Sequence, residues 1–367
     1  LVLYYVAYCK AKLGKGASAD WKAGERLSTS LVFPSSAMDR TVLEAALAAN
    51  KDDATAHYLL GTLLFSKAQY DEGIAHWTET KRLTPKIPVL DADLGKAWLH
   101  LKNDPQRALA AFHDGTENDP SNAEIYVGLD AAMSLEGVPA KERAAALGRY
   151  PSVQSDAAAP AAMPANLVYQ LALTRAEAGE FDQALALFKD RFFPSEESGV
   201  SATQVVFEIK LMQAEAQARA GRCADALAFL AAEHPGLNVN GAVAGAYVRM
   251  AAVAKACKQP EQSEQLLRKA AASKSGADSA WAARAEELLG SYDAAEQQKK
   301  LEASLANAQR QTNTSSYTGW WWYNIGTMQG ALHHQEQAKE AFRKAFLLPD
   351  SLMSHHLARA AMEESIH

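Results

Sequence analysis

The 367-residue sequence lacks every compact catalytic signature that can be recognised without relatives: HExxH, GxSxG, GxxxxGK[ST] and GxGxxG are all missing. Their absence excludes the commonest zinc-protease, serine-hydrolase and nucleotide-binding arrangements. Leu13-Gly14-Lys15-Gly16-Ala17-Ser18 has the flavour of a phosphate loop but the wrong spacing. Cysteine is scarce. Cys9, Cys223 and Cys257 are odd in number and far apart, so neither a disulfide framework nor a CxxC metal site is indicated, and each is read as buried packing. Positive charge is also short: 37 basic against 43 acidic residues give a formal charge of −6, which offers no long-range attraction to nucleic acid. The apolar start Leu1–Cys9 stops at Lys10, well below the roughly 20 residues of a membrane span. It has no basic leader, and because the chain opens on Leu1 it is read as a processed or partial product whose compartment stays open.

What the sequence does have is alanine and a period. Runs such as Leu43-Glu44-Ala45-Ala46-Leu47-Ala48-Ala49 and Arg143-Ala144-Ala145-Ala146-Leu147 favour helix and let helices approach closely, so the chain reads as all-α. Gly61, Gly95, Gly128 and Gly326 open the same pattern. From Gly61 and from Gly326 alike, a small residue follows after twelve positions and an aromatic, Trp77 or Phe342, after sixteen, with Pro85 or Pro349 at the exit. The glycines at 61, 95 and 128 are separated by 34 and 33 residues, which leaves no room for an inserted domain. Trp77, Phe112 and Ala144 occupy equivalent places on the second helix of each pair.

Residues 1–27 form an expected first helix pair, and Ser36 caps a helix over about 38–50. N-terminal repeats are expected over 1–151, an irregular linker over 152–164, and degenerate repeats with a final capping helix over 165–367. The aromatic segment 191–199 is an expected insertion. Lys299 stands where a large apolar residue belongs, so the helix around it is expected to be long and polar on one side. The closing segment 351–366 is expected to cover the open end of a stack.

Candidate chemistry is thin. His333-His334 and His355-His356 read as surface histidines, because adjacent residues on a helix diverge by about 100° and cannot chelate one metal easily. No metal or other cofactor is expected. Asp91/Asp93, Glu196/Glu197 and Glu363/Glu364 read as caps and exposed charges rather than paired catalytic acids. In Trp320-Trp321-Trp322-Tyr323 three consecutive indoles cannot share one core stripe. Trp322 takes the packing position, while Trp320 and Tyr323 either pack on the preceding polar helix or form a platform for peptide or sugar.

These residues resemble tetratricopeptide repeats. The resemblance implies a right-handed α-solenoid of stacked antiparallel helix pairs, which is not an enzyme itself but a scaffold holding a peptide or partner helix in a concave groove. Carried over by position, the groove residues are Tyr58, Thr62 and Phe65, then Lys96 and His100, then Tyr323 and Thr327. The basic and amide clamp that some members use for a C-terminal carboxylate is absent, because Tyr58 and Thr62 stand in its place. The order Val32-Phe33-Pro34, Leu43–Leu47, Leu59-Leu60-Gly61 and Arg191-Phe192-Phe193-Pro194 further resembles the C-terminal repeat region of large bacterial proteins. In those an upstream β-rich, carbohydrate-related domain precedes the array, which implies an accessory or oligomerisation role as the alternative.

Overall fold

The repeats that open with Gly61, Gly95 and Gly326 are built on a contact that only glycine permits. A Cβ added at Gly61 would lie 2.7 Å from the Trp77 ring, and one at Gly326 would lie 2.5 Å from Phe342. Phe112 is held twice, since a Cβ at Gly95 would approach it to 2.5 Å and one at Gly128 to 2.3 Å. The sixteen-residue spacing is thus the distance, along a hairpin, from a bare backbone patch to the ring that covers it.

The computed structural model describes residues 1–84, 86–87, 89–151, 163–191, 193, 200–234, 237, 243–315, 318–348 and 352–364. Twenty α-helices and no strand occur among them, and consecutive helices pack as adjacent pairs. The expected prolines Pro85 and Pro349 and most of the 152–164 and 191–199 segments lie outside the described residues.

The chain divides into two compact units, Leu1–Val138 and Pro139–His367. In the first are α1 (Val2–Lys12), α2 (Ser18–Glu25), α3 (Ala37–Ala49), α4 (Ala54–Ser66), α5 (Tyr70–Leu83), α6 (Leu90–Lys96), α7 (Pro105–Asn118) and α8 (Ala123–Leu135). Ser36 closes a capping box on α3: its Oγ accepts from the Asp39 N–H, and Asp39 accepts from the Ser36 N–H. Burial would raise the Asp39 carboxyl, but hydrogen bonds from Tyr5, Ser36 and Ser35 outweigh it and hold the group at about 2. Helix α6 runs on into a π turn over Ala97–Leu101. There Gly95 and Phe112 are seventeen residues apart rather than sixteen, and the wider turn absorbs the extra residue.

The second unit contains α9 (Ala140–Leu147), α10 (Ala165–Glu177), α11 (Phe181–Ala186), α12 (Ala202–Arg219), α13 (Cys223–Ala231), α14 (Ala244–Ala256), α15 (Pro260–Ala271), α16 (Ser279–Leu289), α17 (Ala294–Gln311), α18 (Thr318–Ala331), α19 (Gln335–Leu347) and α20 (Leu352–Glu364). The tight turns inside its hairpins need a left-handed residue, supplied by Gly179 at φ 78° and Gly221 at φ 74°. Lys299 remains exposed on α17 while Gln297 turns inward at 4% exposure and donates to Glu286.

Two expectations are corrected here. Cys223 and Cys257 form a disulfide across 34 residues, joining the start of α13 to the end of α14, and Cys9 is exposed rather than packed. The 34-residue gap is one repeat period, so equivalent turns of successive hairpins bring the two thiols together. Helix α20 packs against α18, α19 and α10. Its Met353 packs with Tyr169 and Val205, and Ser354, His355, His356 and Arg359 are buried.

Candidate functional site

Five of the residues expected to line a groove lie in the first unit. Thr62 and Phe65 turn into their own hairpin: the Thr62 hydroxyl accepts from the Trp77 indole, and Phe65 stacks on the same ring at 4.7 Å. Tyr58 is 7% exposed and reaches Asp93 on α6; burial pushes its hydroxyl up to about 12. Lys96 pairs with Glu124 of α8, and His100 is exposed. Asp93, expected as a cap or exposed charge, lies within α6. Burial instead raises its carboxyl to about 6, with Lys96 pulling it down and Glu124 pushing it up. Asp91, its neighbour in that reading, is buried and takes the Lys81 ammonium at 2.6 Å and the Asn118 amide at 2.7 Å.

In the second unit the first helices of successive pairs face a common interior, and α20 lies against both α18 and α10. Charge is concentrated there. Glu177 of α10 accepts from Arg143 at 2.7 Å, from His356 at 2.8 Å, and from Arg359. Arg249 of α14 bridges Glu208 and Glu215 of α12, each at 2.7 Å. Burial would raise the Glu208 carboxyl, but Arg249 and His356 hold it at about 2; burial would lower Arg249, but Glu208 and Glu215 keep it charged. His355 and His356, expected at the surface, are therefore interior: His355 stacks on Phe346 at 4.2 Å, and the His356 Nδ1 engages Glu177. His334 meets Gln329 in the turn of the last hairpin. Among the described residues no group of three or more His, Cys, Asp or Glu side chains is arranged to hold a metal ion.

The aromatic run separates as its helical geometry requires. Trp321 and Trp322 pack against α17 residues including Leu301, with Lys344 above the Trp322 ring at 4.4 Å. Trp320 stacks with Tyr323 at 5.5 Å, and both line a cavity of about 80 Å³ in the middle of the unit. Tyr323 and Thr327 also line an open cleft of about 550 Å³ over α16 and α18. A second surface cleft, about 430 Å³, lies between Phe188 and Phe193 on one side and Phe229 and Lys210 on the other. None of the groove positions carried over from the resemblance falls on α16, because a first helix rich in alanine carries no marker of a lining face. No described helix is long and apolar enough to cross a membrane.

No protein-family model matches this chain, and no curated protein matches it. Among solved structures it is similar to Naa15/Naa10 bound to HypK-THB, with 14% identity and a TM-score of 0.36 over 89% of this chain, and it spans 59% of that chain's length. It is also similar to a tetratricopeptide repeat protein from Parabacteroides merdae ATCC 43184, with 11% identity and a TM-score of 0.35 over 100% of this chain and 98% of the other. At this level of superposition no site residue is transferred from either.

Proposed function

We propose that the chain is a protein-interaction scaffold and that the open cleft over α16 and α18 receives an extended peptide or a partner helix. The observation that carries this reading is the make-up of the cleft. Its floor is small and apolar (Ala283, Gly326, Gly330 and Ala331), Tyr323 and Thr327 stand beside it, and the Arg284–Glu287 ion pair lies at its margin. Small residues let a second backbone come close, and a tyrosine supplies contact area with few torsions to freeze.

Gly330 provides a clean test. A Cβ there meets nothing within 4 Å, so Gly330→Leu fills the cleft without displacing the scaffold, and leucine favours the helix over glycine by about 0.5–1 kcal/mol. The expected outcome is an unchanged or slightly higher melting temperature together with loss of the protein that wild type captures by crosslinking from its native lysate. Equal capture by wild type and Gly330→Leu overturns the reading.

A further inference from the structure

His57 on α4 and His76 on α5 face each other across their hairpin, and both rings are half-buried. Their Nδ1 atoms lie 2.8 Å apart, a hydrogen-bond distance, while the ring centres are 5.0 Å apart. The centres are farther apart than the nitrogens by almost two ring radii, so the two nitrogens point at one another and not jointly at a third point where a metal ion would sit. The other nitrogen of His57, Nε2, lies 3.0 Å from the Lys51 carbonyl oxygen. A carbonyl only accepts, so Nε2 carries a proton and the Nδ1 of neutral His57 is left with its lone pair. His76 must then donate through Nδ1, which leaves its own Nε2 as the bare nitrogen of the pair.

We propose that this N–H···N bond is an acid-sensitive latch on the α4–α5 hairpin, which stays closed with one added proton and is opened by a second. The first proton enters at the His76 Nε2, and the resulting imidazolium still donates from Nδ1 to His57. A second can bind only at the His57 Nδ1; two N–H groups on like-charged rings then meet at a distance that suits one donor and one acceptor, and the rings must part. The charged groups around the pair are Arg40 and Glu44 of α3, Glu72 of α5, Glu79 of α5 with its partner Arg82, and Asp53 at the cap of α4. Helices α2 and α6 reach the hairpin elsewhere, through Thr55 on the Glu25 carbonyl and through Tyr58 with Asp93 and Lys81 with Asp91. Burial, and after it His57, makes His76 harder to protonate, and Glu72 and Glu44 offset this only in part. In the unfolded chain both rings take up protons below the ordinary value of 6.5, so that state binds more protons than the closed hairpin, and stability falls as the pH falls. The latch belongs to the first unit, and the cleft proposed for a protein partner belongs to the second.

NMR on the full chain with isotope-labelled histidine nitrogens reads the latch directly. At neutral pH His57 is expected as the Nε2–H tautomer and His76 as the Nδ1–H tautomer, with scalar coupling between the two Nδ1 atoms across the shared hydrogen. On acidification the pair is expected to take up one proton with that coupling kept, and the second only below about pH 5, where the coupling vanishes. Hydrogen-exchange protection of α4 and α5, corrected for the chemical rate, is expected to fall about tenfold or more over the second step. Glutamine at either place can donate to or accept from the remaining ring but takes up no proton. His76→Gln is therefore expected to abolish the acid loss of protection, and His57→Gln to do the same should the first variant fail to fold. Two histidines that titrate independently with no coupling between them, or an acid loss unchanged in the glutamine variants, overturns the proposal.

Discussion

A glycine meets an aromatic ring in both units, Gly61 on Trp77 in the first and Gly326 on Phe342 in the second, yet the two differ in how large a buried ion-pair network they build. In the first unit the Lys96–Glu124 pair is 42% and 64% exposed and stays solvated, and the buried Asp91 is met by a single lysine, Lys81, at 23% exposure. In the second, Arg143, Glu208, His356 and Arg359 are all at most 5% exposed, and Glu177 and Arg249 tie five helices together through them. Repeat chemistry specifies how one hairpin meets the next. It leaves open whether the inner faces keep their water or give it up, and that choice rests on a few polar side chains.

The contrast can be broken most forcefully at Glu177, the carboxylate on which Arg143, His356 and Arg359 converge. Glu177→Gln is expected to cost about 3–5 kcal/mol in chemical denaturation, because buried cations lose their counter-charge. Hydrogen exchange read by mass spectrometry should accelerate across α10 and α20 and leave α4 and α5 unchanged; uniform acceleration would count against a local lock. Next in size is the disulfide. Cys223→Ser with Cys257→Ser reopens a 34-residue loop, which is expected to lower stability by about 2–4 kcal/mol, again within the second unit alone.

The first unit offers an effect of opposite sign. Asp93 has a carboxyl raised to about 6, so folding is penalised whenever that group is ionised. The penalty is complete above the folded value, shrinks as pH falls, and vanishes below the ordinary value of 3.8. Asp93→Asn is therefore expected to stabilise the protein by about 1–3 kcal/mol at pH 7 and by almost nothing near pH 4. Denaturation at the two pH values decides it, and a gain that does not depend on pH would assign the effect to packing instead. Smallest of all, Glu124→Gln should cost only about 0.2–1 kcal/mol, and less in high salt, as befits an exposed pair. A loss comparable to that of Glu177→Gln would erase the distinction between the units.

What could be read in the sequence follows the range of the interaction. Gly61 with Trp77 and Gly326 with Phe342 are contacts inside one hairpin, so a fixed spacing records them. The same logic placed the Ser36 cap, a matter of three residues. His356 and Glu177 lie 179 positions apart, and nothing local marks them as partners. The disulfide stood between these extremes: its gap of 34 residues equals the period already found in the glycines, a signal that was present but mistaken for mere distance. Thr62 and Phe65 are half-buried, and each touches Trp77 of its own hairpin. Trp77 draws both into the hairpin, and position alone cannot register that attraction.

Phe112 carries one last consequence. Because its ring is pressed between Gly95 and Gly128, which belong to successive hairpins, neither glycine can enlarge while the ring keeps its size. The three positions must therefore drift as a set: among descendants of this chain, a bulkier residue at 95 or 128 should arrive together with a smaller one at 112, and a lone change should be purged.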